Sequence, residues 1–188
     1  MIRLIRTLTA ALLLTVGPAT AAAGAGPAQP WVLVDTAADR LEVRAGDEQV
    51  LAVMDNLALG RGGVSDLHLY GDQTTPRGEY RVTRIDPDSR FHVFIGLDYP
   101  TVHHLNLARR RGVLDEARYH QLLELAYNRG TLPQDTALGG YIGLHGVGRG
   151  DPEIHARFHW TEGCVALTDE QIGELLRYVR RGTRVVIR

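Results

Sequence analysis

Trp160-Thr161-Glu162-Gly163-Cys164-Val165-Ala166-Leu167 is the stretch on which this sequence turns, and Tyr141-Ile142-Gly143-Leu144-His145-Gly146 lies shortly before it. Cys164 is the single cysteine of the chain. Acyl transfer by a thiol needs such a sulfur, a base that reaches it, and backbone N–H groups that can hold a developing oxyanion. The two stretches hold a candidate for each. Gly163 lets another backbone come close, and the N–H groups around Gly163 and Cys164 are the candidate oxyanion donors. His145 ends a β-like run, a rigid place from which to hold an imidazole against a thiol. The Gly146 carbonyl is the candidate group to orient its ring. The competing readings are a buried, inert thiol and a hydrogen-bonded structural histidine.

Other histidines offer less. His155 and His159 are four apart, a spacing that shares one helix face. With His145 and Cys164 they make a conceivable His/Cys zinc set, but the spacing matches no recognised zinc motif and no metal is expected. His103 and His104 are adjacent and point apart on a strand, so they are expected at the surface.

Outward from the cysteine, Thr168 is a good helix N-cap and Gln171 completes a capping box. Ile172, Leu175, Leu176 and Val179 give this helix an apolar face. Arg177, Arg180 and Arg181 are expected in its last turns, where cations favour the macrodipole, with Gly182 as the stop. Residues 183–187 follow as a final strand. A second helix is predicted over 115–129, from the spacing of Ala117, Leu122, Leu125 and Ala126, an acidic start and Gly130 at the end. Residues 31–34 and 40–44 read as a hairpin, 50–59 as a strand ending at Gly60, 78–85 as a half-buried strand entered from a turn at Pro76 and Gly78, and 91–95 as another strand. The pattern predicts a mainly β (α+β) domain with two helices. The insertion over 99–139 reads either as a lid or substrate wall, or as a plain packing helix.

The 188 residues suit one domain. A net charge of -1 implies no polyanionic partner, nucleic acid included. All 21 Lys and Arg residues are arginine, which excludes lysine chemistry. Arg3 and Arg6, an apolar run over 8–16, and small residues at Ala19-Thr20-Ala21 or Ala21-Ala22-Ala23 read as an export signal over 1–23. A linker over 24–30 and one domain over 31–188 follow. The apolar run is short for a membrane span, so membrane contact is expected only through export; an uncleaved anchor is the alternative. Export to the periplasm or cell envelope makes a lone cysteine notable, because oxidising compartments favour paired ones.

His145, fifteen intervening residues, and then Thr161-Glu162-Gly163-Cys164 resemble the signature of the YkuD-type L,D-transpeptidase catalytic domain: a His, a spacer of about that length, and Ser/Thr-His-Gly-Cys. Thr75-Pro76-Arg77-Gly78-Glu79-Tyr80 resembles the family's Thr-Pro-x-Gly-x-Tyr/Phe turn and strand. Phe94-Ile95-Gly96-Leu97-Asp98-Tyr99-Pro100, and the Trp160-Thr161-x-Gly163-Cys164-x-Ala166 pattern, are similar to the YafK-like branch. The resemblance runs over about residues 31–188 and implies a β-sandwich or barrel with about two peripheral helices. It also implies Cys164 as nucleophile, His145 as base, the Gly146 carbonyl as the group that orients it, Gly163 in the oxyanion loop, and no metal or organic cofactor. Tyr99, Trp160, Thr161 and Glu162 become candidate substrate contacts. Glu162 departs from the family, most members of which carry His there, and an inward carboxylate would disfavour a thiolate.

The implied reaction is transpeptidation of peptidoglycan stem peptides through a thioester acyl-enzyme, resolved by an amine to give a cross-link or an attached protein. Water in place of the amine would make the same site a hydrolase of peptidoglycan, or of its link to a wall-bound lipoprotein, which then becomes a partner. A non-catalytic wall-binding module is the third reading. Oligomeric state is not legible.

Overall fold

The structure is a computed structural model that describes residues 29–47 and 49–188. The expected export signal over 1–23 and most of the linker lie outside the described residues. Alternating apolar residues build an antiparallel hairpin of β1 (Pro30–Asp35) and β2 (Arg40–Ala45), extended by β3 (Gln49–Asp55). The third strand is shorter than its apolar run predicts. Asn56 turns left-handed (φ 63°), after which Ala58 and Gly60 make single bridges to Ala166 and Thr161.

Two short strands, β4 (Val64–Ser65) and β5 (Thr75–Pro76), form a parallel pair. The long β6 (Gly78–Ser89) then pairs with β7 (His92–Leu97). Helices α1 (Val102–Arg110) and α2 (Glu116–Arg129) follow, and then β8 (Gly143–His145), α3 (Pro152–His155), β9 (Val165–Ala166), α4 (Asp169–Leu175) and β10 (Arg184–Ile187). The main sheet has eight strands in the order β3-β2-β1-β10-β6-β7-β8-β9. This is the mainly β fold class expected, with four helices among the described residues where two were legible.

One face of the sheet makes the principal core, with Val32, Leu41, Tyr80, Ile95, Leu144, Val165 and Val185 all buried. Helix α4 packs on β7 and β8 and seals that core with Ile172 and Leu175. Burying each such side chain is worth about 2–3 kcal/mol. Its capping box forms as expected between Thr168 and Gln171. The helix ends at Leu175, however, so Arg177, Arg180 and Arg181 lie beyond it in turns rather than on its last turn.

The insertion builds a second, smaller core from Leu105, Ala108, Leu122 and Leu138, joined by Leu67 from before β5. Helix α2 matches the expectation, with Asp115 capping Arg118 N–H at 2.7 Å and Gly130 left-handed at its end. Helix α1 was not legible, and it corrects the strand reading of His103 and His104. His104 Nδ1 accepts from Thr101 N–H at 3.2 Å and meets the Thr101 hydroxyl at 2.9 Å. It is 1% exposed and stacked on Tyr80, a core residue rather than a surface one.

Candidate active site

Strands β8 and β9 bring the two sequence stretches together. They pair in parallel, with Leu144 opposite Val165 and His145 opposite Ala166. One step back along this register sets Gly143 beside Cys164. Leu144 and Val165 face the core, so alternation turns Gly143, His145 and Cys164 to the other face. The thiol and the imidazole thus share a face, with only a glycine beside the sulfur.

The His145 ring is held on several sides. Its Nδ1 lies 2.7 Å from the Gly146 carbonyl. A carbonyl only accepts, so Nδ1 carries the proton and Nε2 carries the lone pair. Phe91 stacks on the ring at 4.2 Å, and Trp160 meets it edge-on at 5.6 Å. Behind it, Asp169 Oδ1 accepts from Gly148 N–H at 2.8 Å. A Cβ at Gly146 would meet the same oxygen at 2.5 Å and the Phe91 carbonyl at 2.7 Å. Glycine is required there for the turn that presents the orienting carbonyl.

Cys164 donates to the Tyr141 carbonyl at 3.5 Å; Tyr141 itself is left-handed (φ 57°) just before β8. Burial pushes the thiol up to about 11, against a Gly143 N–H that favours the thiolate, and the Glu162 charge adds to the rise. Burial likewise lowers His145 to about 4, against the Gly146 hydrogen bond. Both groups are therefore neutral at rest near pH 7, a thiol and an imidazole on one face of the sheet rather than a preformed ion pair.

The candidate oxyanion loop differs in detail from expectation. The Gly163 N–H is donated to Thr161 Oγ1 at 3.2 Å, and that hydroxyl donates to the Cys164 carbonyl at 2.6 Å. Among the described residues, Glu162 N–H and Cys164 N–H are the amides of this loop without an acceptor. Gly163 is still obligatory: its φ is +128°, and a Cβ would lie 2.8 Å from the Thr74 carbonyl and 3.2 Å from His68. His68, unremarked in the sequence, is buried under the loop, with Nδ1 held 2.8 Å from the Thr74 carbonyl and 2.9 Å from Asp72.

Of the expected substrate contacts, Tyr99 is corrected. It is fully buried, and its hydroxyl donates to the His68 carbonyl at 2.5 Å, so no ligand reaches it. Thr161 is buried and braces the loop from within. Glu162 points outward, 81% exposed, and pairs with Arg61 at 3.4 Å. Trp160 is half-buried, and its indole N–H donates to His155 Nδ1 at 3.3 Å. His155 ends α3 and His159 lies beyond it, with Nδ1 accepting from Leu59 N–H at 3.2 Å. The two Nδ1 atoms turn to different partners, and among the described residues these rings do not converge with His145 and Cys164 on a metal site.

Sequence reasoning missed Phe94, Arg84 and Asp98, which border the site. The two strand glycines, Gly96 and Gly143, were the available signal, since glycine inside a strand marks a close approach.

The solved structure of the helical cell shape determining protein Pgp2 from Campylobacter jejuni is similar, with 19% identity and a TM-score of 0.55, over 85% of this chain and 47% of that one. Bd1075 from Bdellovibrio bacteriovorus is 17% identical with a TM-score of 0.53, over 86% of this chain and 48% of that one. At such identities the likeness is one of fold, and this chain spans about half the length of those it matches. Among curated proteins none matches in sequence. The family model of the L,D-transpeptidase catalytic domain, YkuD, matches residues 29–187, and the chain belongs to that family.

Proposed function

We propose that this chain is an exported, cysteine-dependent L,D-transpeptidase that acts on peptidoglycan stem peptides in the periplasm or cell envelope. The observation that carries the reading is the Nδ1–H bond from His145 to the Gly146 carbonyl, which leaves Nε2 as a base on the face of the only thiol. Family membership supports it.

The neutral pair defines the order of events. A peptide carbonyl settles beside Cys164, and the sulfur attacks as its proton passes to His145 Nε2. The Cys164 N–H faces the oxygen that gains charge. Collapse breaks the C–N bond, and His145 returns the proton to the departing amine. A thioester remains on Cys164. An acceptor amine then attacks it, giving up a proton through His145, and the thiol re-forms.

The test is to incubate the full chain with purified muropeptides and excess acceptor amine and read the products by mass spectrometry. Amine-exchanged or cross-linked products are expected, lost by about 10³-fold or more in Cys164→Ala, with an unchanged circular dichroism spectrum. Products of hydrolysis alone would move the assignment to a hydrolase. Identical traces from wild type and Cys164→Ala would end the proposal.

A further inference from the structure

Strand register lays a row of residues across the sheet away from the sulfur. Arg84 on β6 pairs with Gly96 on β7, and Gly96 pairs with Gly143 on β8. Gly143 is the residue beside Cys164. Three strand spacings separate the ends of this row, about 14 Å. Phe94 paves the glycines between them. A Cβ at Gly143 would meet its ring at 2.7 Å, and one at Gly96 would meet it at 3.2 Å. The Arg84 guanidinium lies over the same ring, 4.8 Å from its centre.

Arg84 reaches this face through a bulge. The register shifts between Val82 and Arg84, so Val82 opposes Leu97 while Arg84 opposes Gly96. Without the extra residue, alternation would turn position 84 to the core side, as it does Tyr80 and Val82. Among the described residues no carboxylate pairs with this guanidinium. Above the row lies a cavity of about 200 Å³, lined by Arg84, Phe94, Gly96, Asp98, Gln134 and Tyr141 among others. Its Tyr141 wall is the residue whose carbonyl receives the thiol. Asp98 sits two residues on from Gly96, just past the end of β7, where it lines the same cavity and is half-buried. One of its oxygens takes Arg81 N–H at 2.8 Å. The same carboxylate, with Thr131 and Leu132, also lines a neighbouring cavity of about 320 Å³ against the helical insertion.

We propose that Arg84 and Asp98 form a binding site for an amino-acid zwitterion, the ligand carboxylate on the guanidinium and its ammonium on the Asp98 carboxylate. Resting on the transpeptidase reading, the site anchors the free amino-carboxylate end of a substrate side chain while the scissile carbonyl lies at Cys164. A cation set by a bulge, an anion lining the same cavity and an aromatic floor are the elements such a group needs.

Two measurements test it. In the Cys164→Ala chain, norleucine is titrated against norleucine amide and N-acetylnorleucine while amide resonances are followed. Norleucine should shift Gly96 and Asp98 and bind at least five-fold tighter than either analogue, and Arg84→Gln should erase its advantage over the amide. In the active chain, Arg84→Gln should raise KM for a muropeptide with a free amino-carboxylate at least ten-fold with kcat within two-fold, and leave KM unchanged for the amidated muropeptide. Equal binding of norleucine and either analogue, or an unchanged KM in Arg84→Gln, overturns the site. A chain that binds norleucine there but turns over no muropeptide overturns the transpeptidase reading and leaves the site standing.

Discussion

At the scale of the residue, Cys164 and His145 form a neutral pair at rest, so free-enzyme reactivity and catalysis should part company. With the thiol raised to about 11, the rate of iodoacetamide labelling should keep climbing through pH 9 instead of levelling off near neutrality. Glu162→Gln should lower the apparent thiol midpoint, since its charge is among the causes of the rise, but by less than about one unit because that carboxylate is exposed. A plateau near pH 7 would show that the imidazole ionises the sulfur before substrate arrives. Cys164 and His145, the proposed nucleophile and base, were legible in the sequence because the chemistry demands their types and order. Arg84 and Asp98 were not: a strand read at strict period two sends Arg84 to the core side, and no pattern of residues announces the bulge that reverses it.

At the scale of the element, the two glycines under Phe94 link sheet geometry to the site. Gly143→Ala would push a Cβ to 2.5 Å from the Ile95 carbonyl, which is backbone and cannot swing away. Overpacking of this kind costs about 1–3 kcal/mol. The expected outcome is a lowered denaturation midpoint with displaced Phe94 and His145 rings, seen as lost activity beyond the loss of fold. Helix α4 was readable in advance because its capping box is local, whereas its early end at Leu175 is set by tertiary contacts. Helix α1 escaped because it begins at a threonine capped by a histidine, Thr101 and His104, a pairing outside the usual Glu or Gln of a capping box.

At the scale of the whole molecule, buried neutral imidazoles tie stability to pH. His104 and His145 are each lowered from 6.5 to about 4, burial being the largest cause. Their folded values lie below the unfolded one, so the unfolded chain binds more protons between pH 6.5 and about 4. The stability each contributes is full above that window and drains as pH falls through it, up to about 3 kcal/mol apiece. Thermal unfolding should show Tm falling steeply across this interval, and His104→Gln should flatten the slope. A Tm independent of pH there would mean these rings are not held neutral.

The place of β10 has a consequence for how the polypeptide comes into being. Its four residues lie between β1 and β6 and, among the described residues, form a seam that joins two half-sheets, one drawn from residues 30–55 and the other from 78–166, which the single bridges at Ala58 and Gly60 also tie. Synthesis proceeds from the N-terminus, so the first half emerges from the ribosome with a raw hydrogen-bonding border long before the seam does, and the second only shortly before it. Closure must then span some 150 residues of intervening chain, a long-range pairing that slows folding. Until that moment the nascent chain exposes two sticky margins, and chaperones have their opportunity to hold it open.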